Sequence, residues 1–298
     1  MIANALIAWF GANGRDLPWR HTRDPYRVLV AELMLQQTQV ERVIPKYHAF
    51  LAQFPDVATL ASAPTSAVIT AWQGLGYNRR ALYLQRTAQA VVSQYAGVFP
   101  QDVTTLKQLP GIGDYTSGAI ACFAYEQDVA FLDTNIRRVV LRLWSDPHAD
   151  IPSEQALRDL AAQQVPAGQG WVWNQAIMEL GAIICTATAP KCPRCPLRGD
   201  CRDYAARLAA DDALQPLPPA KPRRVAERKD APFAGSNRQI RGRIIDALRA
   251  APQSVDQLQA QLTSLGLALD TPKLTSIIAG LVRDGLVVVN GDVVKLPE

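Results

Sequence analysis

Residues 106–125 read LKQLPGIGDYTSGAIACFAY. An amphipathic stretch stops at Pro110, Gly111 and Gly113 follow, and an apolar run rich in small residues resumes at once. Glycine reaches φ > 0 without steric cost, so Leu-Pro-Gly-Ile-Gly predicts a tight turn between two helices, the second opening near Asp114 or Tyr115. The free N–H groups at such a helix start suit a phosphate group. A lone G-x-G would serve any helix–turn–helix, so its meaning depends on what surrounds it.

On both sides of the turn the chain keeps helical spacing. Val28, Leu29, Leu33, Met34 and Val40 mark one apolar stripe, and Leu82, Leu84, Ala88 and Val91 another. Strand-like alternation is scarce, and LPWR, RDPY, QFPD, SAPT and GVFP separate the periodic segments, so residues 1–205 are predicted to be all-helical. Residues 206–236, with LQPLPPAKPRRVAERKDAPFAGS, are proline-rich and charged and read as an extended linker; Lys221, Arg223, Arg224, Arg228 and Lys229 give it a basic cluster. Residues 237–298 read as three helices and a hairpin. Arg238–Arg249 forms the first helix, Ser254 caps a second that runs through Leu262, Thr271-Pro272 opens the third, and LVVVNGDVVKL turns at Asn290-Gly291. This pattern resembles a winged-helix module, a class that binds DNA or other proteins.

The 298 residues are 48% hydrophobic, enough for a real core, which excludes global disorder. Lys and Arg number 31 against 27 Asp and Glu; the net charge of +4 allows a polyanionic partner without requiring one. No apolar run approaches the roughly 20 residues of a membrane span, and the N-terminus lacks the features of a secretory signal. A cytoplasmic monomer with no membrane partner is the expectation. In that compartment cysteines serve more often as metal ligands or free thiols than in disulfides.

Four of the five cysteines, Cys185, Cys192, Cys195 and Cys201, fall within 17 residues in the pattern C-x6-C-x2-C-x5-C. Four thiolates this close suit a tetrahedral zinc or a [4Fe–4S] cluster; zinc sites usually show two C-x2-C pairs, and here there is one. Cys122, inside AIACFAY, reads as a buried core thiol. Two carboxylates stand out. Glu32 lies in AELMLQQTQV, on an otherwise apolar or amide-bearing helix. Asp133 lies in AFLDTNIRRVV, where an apolar segment gives way to a helix start. On the residues alone, Asp133 is a helix N-cap and Glu32 a surface or ion-paired acid.

In chain order, MLQQTQV, GLGY (74–77), LPGIG, LDTN and the four cysteines resemble the adenine DNA glycosylase family of the endonuclease III, helix–hairpin–helix superfamily, over nearly all of residues 17–201. The resemblance implies a mainly helical glycosylase core over 1–205. A six-helix region would fill about 18–129, and a cluster region would combine the N-terminal helix with about 130–205. Cys185, Cys192, Cys195 and Cys201 would hold a [4Fe–4S] cluster, with Lys191, Arg194 and Arg198 on its loop able to face phosphates. Glu32 would be the general acid that protonates the departing adenine, and Asp133 would stabilise the cationic sugar, the two-carboxylate logic of glycoside hydrolysis moved to an N-glycosidic bond. Tyr115 and Asn135 match positions that support the aspartate. Tyr115 also stands where bifunctional relatives carry a lysine, and a phenol cannot form the Schiff base of strand cleavage; a monofunctional enzyme is implied.

Leu17, Trp19 and Arg20 of LPWR match residues lining the adenine site, and Glu179 of MELGA an acid that contacts or orders it. Gln36, Gln37 and Thr38 match the residues that probe the base stack, Gln37 as the wedge, with Tyr77 of GLGY nearby and Gly111 and Gly113 on a phosphate. The family often adds an aromatic wedge just after GLGY, where this chain has Asn78. Many members also carry a Nudix-like C-terminal domain that reads 8-oxoguanine, and residues 237–298 do not match it. The expected partner is duplex DNA with A·8-oxoguanine or A·G mispairs. A thymine or uracil mismatch glycosylase, to which Tyr115 is equally suited, and a non-catalytic redox-sensing DNA-binding regulator are the alternatives.

Overall fold

The computed structural model describes residues 2–209, 233–267 and 269–298, so the basic cluster at Lys221–Lys229 lies outside the described residues. In chain order the helices are α1 (Ile2–Asn13), α2 (Pro25–Leu35), α3 (Val40–Gln53), α4 (Val57–Ser62), α5 (Thr65–Ala71), α6 (Arg79–Tyr95), α7 (Val103–Leu106), α8 (Asp114–Tyr125), α9 (Thr134–Trp144), α10 (Glu154–Ala162), α11 (Gly170–Ile183), α12 (Arg202–Ala209), α13 (Asn237–Ala250), α14 (Val255–Ser264) and α15 (Thr271–Arg283). Among the described residues the only strands are β1 (Gln253–Ser254), β2 (Val288–Asn290) and β3 (Val293–Lys295). No helix among them is long and apolar enough to cross a membrane.

The chain forms two compact units. The first takes residues 2–28, 101–107 and 112–209. Within it α1 and α9 pack on α11, and the small residues of α8 allow close approach: a Cβ at Gly118 would meet Phe131 at 2.7 Å. Caps start these helices where the chain offers a short polar side chain. Asp102, Asp133 and Ser153 accept from the N–H groups of Thr105, Ile136 and Ala156.

The second unit takes residues 29–100, 108–111 and 233–298. Here α4 and α5 lie against α6. The 237–298 segment is three helices and a hairpin. Ser236 caps α13, a capping box of Ser254 and Gln257 opens α14, and Asp270 caps α15 ahead of Pro272. The apolar residues of the three helices (Ile240, Ile244, Leu258, Leu274 and Leu281 among them) and Val294 form one core that continues into Ile69 of α5 and Leu82 of α6. Two details differ from the sequence expectation. The hairpin pairs Asn290 with Val293, so Gly291 (φ +59°) and Asp292 occupy the turn centre, one residue later than expected. A third strand, the two-residue β1, pairs antiparallel with β3 and gives the sheet order β1-β3-β2; so short a strand has no periodicity to read.

Candidate active site

In the first unit, the LPWR stretch folds as a 3₁₀ turn over Pro18–His21, with Leu17 and Trp19 buried at its base. Arg20 is ion-paired. Its side chain is 9% exposed and donates to Glu179 Oε2 at 2.8 Å, Gln175 Oε1 at 2.8 Å and the Arg15 carbonyl at 2.6 Å. Arg15 completes a clamp, its Nε 2.6 Å from Glu179 Oε1 and its Nη2 3.0 Å from Oε2. Burial pushes the Glu179 carboxyl up, but the hydrogen bonds and charges of Arg15 and Arg20 outweigh it and hold the group below the ordinary carboxylate value.

Asp133 sits at the start of α9 as an N-cap. Oδ1 accepts from the Ile136 N–H at 2.6 Å and Oδ2 from Asn135 Nδ2 at 3.1 Å. Its carboxyl is raised; desolvation dominates over those two hydrogen bonds and the more distant charge of Arg138. Asn135 is itself held. Its Oδ1 accepts from Arg138 Nη2 at 2.8 Å, and the same guanidinium reaches the Gly181 carbonyl at 2.6 Å and, through Nε, the Cys185 carbonyl at 2.6 Å. Tyr115, on the first turn of α8, packs edge-on against Phe131 at 5.4 Å between ring centroids. Gly113 precedes it in extended backbone, with nothing within 4 Å of an added Cβ.

Glu32, Gln36, Gln37, Thr38, Tyr77 and Gly111 belong to the second unit. Glu32 is buried (4% exposed), as are Leu29, Leu33 and Met34 of the same helix, which corrects the surface half of the surface-or-ion-paired expectation. After α2 the chain turns at Gln37, which is exposed and left-handed (φ +55°). The Gly74–Tyr77 loop is left-handed at Gly74, Gly76 and Tyr77 (φ +45°). One buried guanidinium joins both turns. Arg80 donates to the carbonyls of Leu33, Met34 and Gln36 through Nη1, and to those of Leu75 and Gly76 and the Thr38 hydroxyl through Nη2. Burial lowers its pKa to about 10. Gly111 is the turn glycine that needs its freedom: φ is +78°, and a Cβ would lie 2.6 Å from Tyr83 Cβ.

Cys185, Cys192, Cys195 and Cys201 line one cavity walled by Leu143, Leu180, Ile184 and Pro190. Arginines ring the sulfurs: Arg142 Nη1 lies 3.3 Å from Cys185 Sγ and Arg207 Nη2 3.1 Å from Cys192 Sγ. Burial pushes the thiols of Cys195 and Cys201 up to about 11, so these positions carry thiolates only beside a bound cation. Among the described residues no three His, Cys, Asp or Glu are grouped to hold one metal ion. Four sulfurs around an apolar cavity, with guanidiniums to offset negative charge, fit a four-thiolate iron–sulfur cluster, which spreads its sulfurs around a cage.

Sequence reading overlooked Arg15, Arg80, Arg138 and Gly181. Arg80 had no local mark beside its neighbour Arg79, since only burial separates the two. Gly181 packs so closely that a Cβ would meet Asn135 Cβ at 2.7 Å.

Residues 30–164 match the model of the HhH-GPD superfamily of base excision DNA repair proteins. An adenine DNA glycosylase of Mycolicibacterium smegmatis is 39% identical over 284 residues, which span 95% of this chain and 91% of that protein. Among solved structures, a thermostable thymine-DNA glycosylase aligns with a TM-score of 0.65 at 31% identity, over 69% of this chain and 95% of its own. An endonuclease III in a trapped covalent DNA complex aligns at 0.60 and 22% identity, over 69% and 95%, a likeness of fold. The chain belongs to the adenine DNA glycosylase family within the HhH-GPD superfamily.

Proposed function

We propose that this chain is a monofunctional DNA glycosylase that hydrolyses the N-glycosidic bond of adenine mispaired with 8-oxoguanine or guanine in duplex DNA. The observation that carries the reading is the near full-length relationship to a protein named adenine DNA glycosylase. Glu32 donates the proton to the leaving adenine, a role that requires a partly desolvated carboxyl, and its burial supports it. Asp133 offsets the positive charge of the sugar as the bond breaks, and Asn135 and Tyr115 orient it. Leu17, Trp19, Arg20 and Glu179 form the base pocket. Gln37 fills the gap left by the flipped base, with Gln36, Thr38 and Tyr77 about it, and the Gly111–Gly113 turn contacts a phosphate. Cys185, Cys192, Cys195 and Cys201 hold a [4Fe–4S] cluster, which ties down a loop too poor in apolar residues to fold unaided. A thymine or uracil mismatch glycosylase is the second reading, favoured by the likeness to the thymine-DNA glycosylase structure.

Single-turnover base release from A·8-oxoguanine, A·G, T·G and U·G duplexes, followed by alkali, tests the proposal. Release is expected from A·8-oxoguanine above the rest, and in Glu32→Gln it falls by about 10²–10⁴-fold while duplex binding survives. Release from T·G or U·G with adenine left intact sinks the adenine reading, and wild-type inertness on all four sinks catalysis altogether.

A further inference from the structure

Two guanidiniums reach sulfurs of the four-cysteine cavity, and they differ in what else they hold. Arg142 of α9, whose Nη1 lies 3.3 Å from Cys185 Sγ, also donates to the carbonyls of Thr186 and Ala187 at 2.8 and 3.0 Å. It fastens the loop that follows α11, and its sulfur contact comes with that task. Arg207 of α12 is different. Its Nη2 donates to Cys192 Sγ at 3.1 Å, and its buried Nε makes no hydrogen bond among the described residues. The charge it faces besides the sulfur is Asp203, one turn earlier on the same helix, with Oδ2 3.4 Å from Nε. The Arg207 side chain is 14% exposed, so the guanidinium has left most of its water for a sulfur and a carboxylate. So placed, it brings charge to the cavity rather than a tie between distant segments.

Asp203 brings the opposite sign to the same place. It lines the cavity together with the cysteines, and its charge adds to the burial that pushes the Cys201 thiol up. The negative charge of a four-thiolate cluster grows when the cluster gains an electron. A donor on a ligand sulfur therefore stabilises the reduced state more than the oxidised one, and a nearby carboxylate does the reverse.

We propose that Arg207 and Asp203 are a charge couple that sets how readily the cluster gives up an electron: Arg207 holds it against oxidation through Cys192, and Asp203 moderates that hold. The proposal rests on the [4Fe–4S] reading above, and iron and sulfide content separates the two. Wild type, Arg207→Leu, Asp203→Asn and Arg202→Leu are purified as full chains and assayed for iron and sulfide. The one-electron potential of each is measured by voltammetry without DNA. Bleaching of the visible absorption by ferricyanide, which takes one electron from the cluster, is the second readout. Arg202 is exposed on the same helix and controls for the loss of one charge.

Arg207→Leu is expected to favour oxidation about tenfold in the equilibrium constant, a fall of about 59 mV for one electron, and to bleach faster. Asp203→Asn is expected to move the potential the other way, by a smaller factor, and to bleach more slowly. Arg202→Leu is expected to stay within about twofold of wild type, as a solvent-screened charge does. A purely structural role loosens the helix in both variants of the couple and speeds bleaching in both, so shifts in the same direction overturn the proposal. No shift in either variant overturns it too, as does an Arg202→Leu shift equal to that of Arg207→Leu. If Arg207→Leu loses its cluster on purification, Asp203→Asn decides alone: a raised potential supports the couple, and any other result overturns it. A wild type that holds zinc and no sulfide overturns the cluster reading and the proposal with it; a fully loaded wild type with unmoved variants overturns the couple and leaves the cluster reading standing.

Discussion

Glu179 and Asp133 lie in the same compact unit, and their carboxyls titrate on opposite sides of the ordinary value. Burial disfavours both charges; the neighbours decide the outcome. Glu179 meets two guanidiniums, so its charge is compensated and fixed. Asp133 meets a backbone N–H and a neutral amide, while the one cation near it, Arg138, is spent on carbonyls and on Asn135. The first arrangement holds a wall in place. The second leaves a carboxylate whose charge is under-compensated until a positive charge arrives, which is the condition in which it stabilises a developing cation most.

Separate substitutions make the contrast measurable. Glu179→Leu strands the Arg20 guanidinium, while Arg15, with a side chain 35% exposed, can turn to solvent; removing one partner of a buried pair costs about 3–5 kcal/mol of stability, read in urea unfolding. A loss below ~1 kcal/mol would mean that the clamp is solvated in solution. Asp133→Asn keeps an acceptor for the Ile136 N–H, so the fold is expected to hold while single-turnover excision falls by roughly 10²–10³-fold. Equal losses of stability and activity would reduce Asp133 to its capping role.

The pH dependence of stability sharpens the comparison because the signs differ. The Glu179 carboxyl is depressed in the folded state. Its contribution is fully present above the unfolded value, near 4.3, and is lost as pH falls through the folded one. The Asp133 carboxyl is raised, so ionisation costs stability once pH climbs past its unfolded value, near 3.9, toward the folded one. Wild type and Asp133→Asn are expected to converge in stability below about pH 4 and to diverge above it, with the variant the more stable. Coincident stability curves across that window would show that Asp133 ionises in the folded protein as freely as in the unfolded chain.

What the chain disclosed beforehand follows the range of the interactions. The α2 and α6 stripes, the capping box at Ser254 and the left-handed Gly111 are local, and each sits where spacing or residue type put it. The four cysteines were legible because a ligand set leaves its own residue type behind. Glu32 on the residues alone reads as a surface or ion-paired acid, and only packing reveals its burial. Arg80 and Arg138 were illegible for the same reason. Arg80 serves carbonyls 44 to 47 residues earlier in the chain, and Arg138 a carbonyl 47 residues later; a backbone acceptor leaves no trace in a sequence. Arg20 was noticed through its motif, but its clamp partner Arg15 joins Glu179 across 164 residues and stood outside that motif.

The smallest expected effect tests whether Asp133 depends on packing behind Asn135. Gly181 of α11 lies against Asn135 so closely that an added Cβ meets Asn135 Cβ at 2.7 Å and its carbonyl oxygen at 3.1 Å. Both partners sit on helices, so neither can swing away as a flexible side-chain end would. Gly181→Ala forces α9 and α11 apart by a few tenths of an ångström, an overpacking cost of about 1–3 kcal/mol, partly offset by the better helix propensity of alanine. The displaced atom is one bond from the amide that holds Asp133 Oδ2, so excision is expected to slow with duplex affinity unchanged. Gly11→Ala is the matched control, since Gly11 also lies within a helix and nothing lies within 4 Å of an added Cβ. If the two alanine variants lose activity equally, the Gly181 contact does not position Asp133; if only Gly181→Ala slows the chemical step, the packing of α11 on α9 is part of what aims the carboxylate.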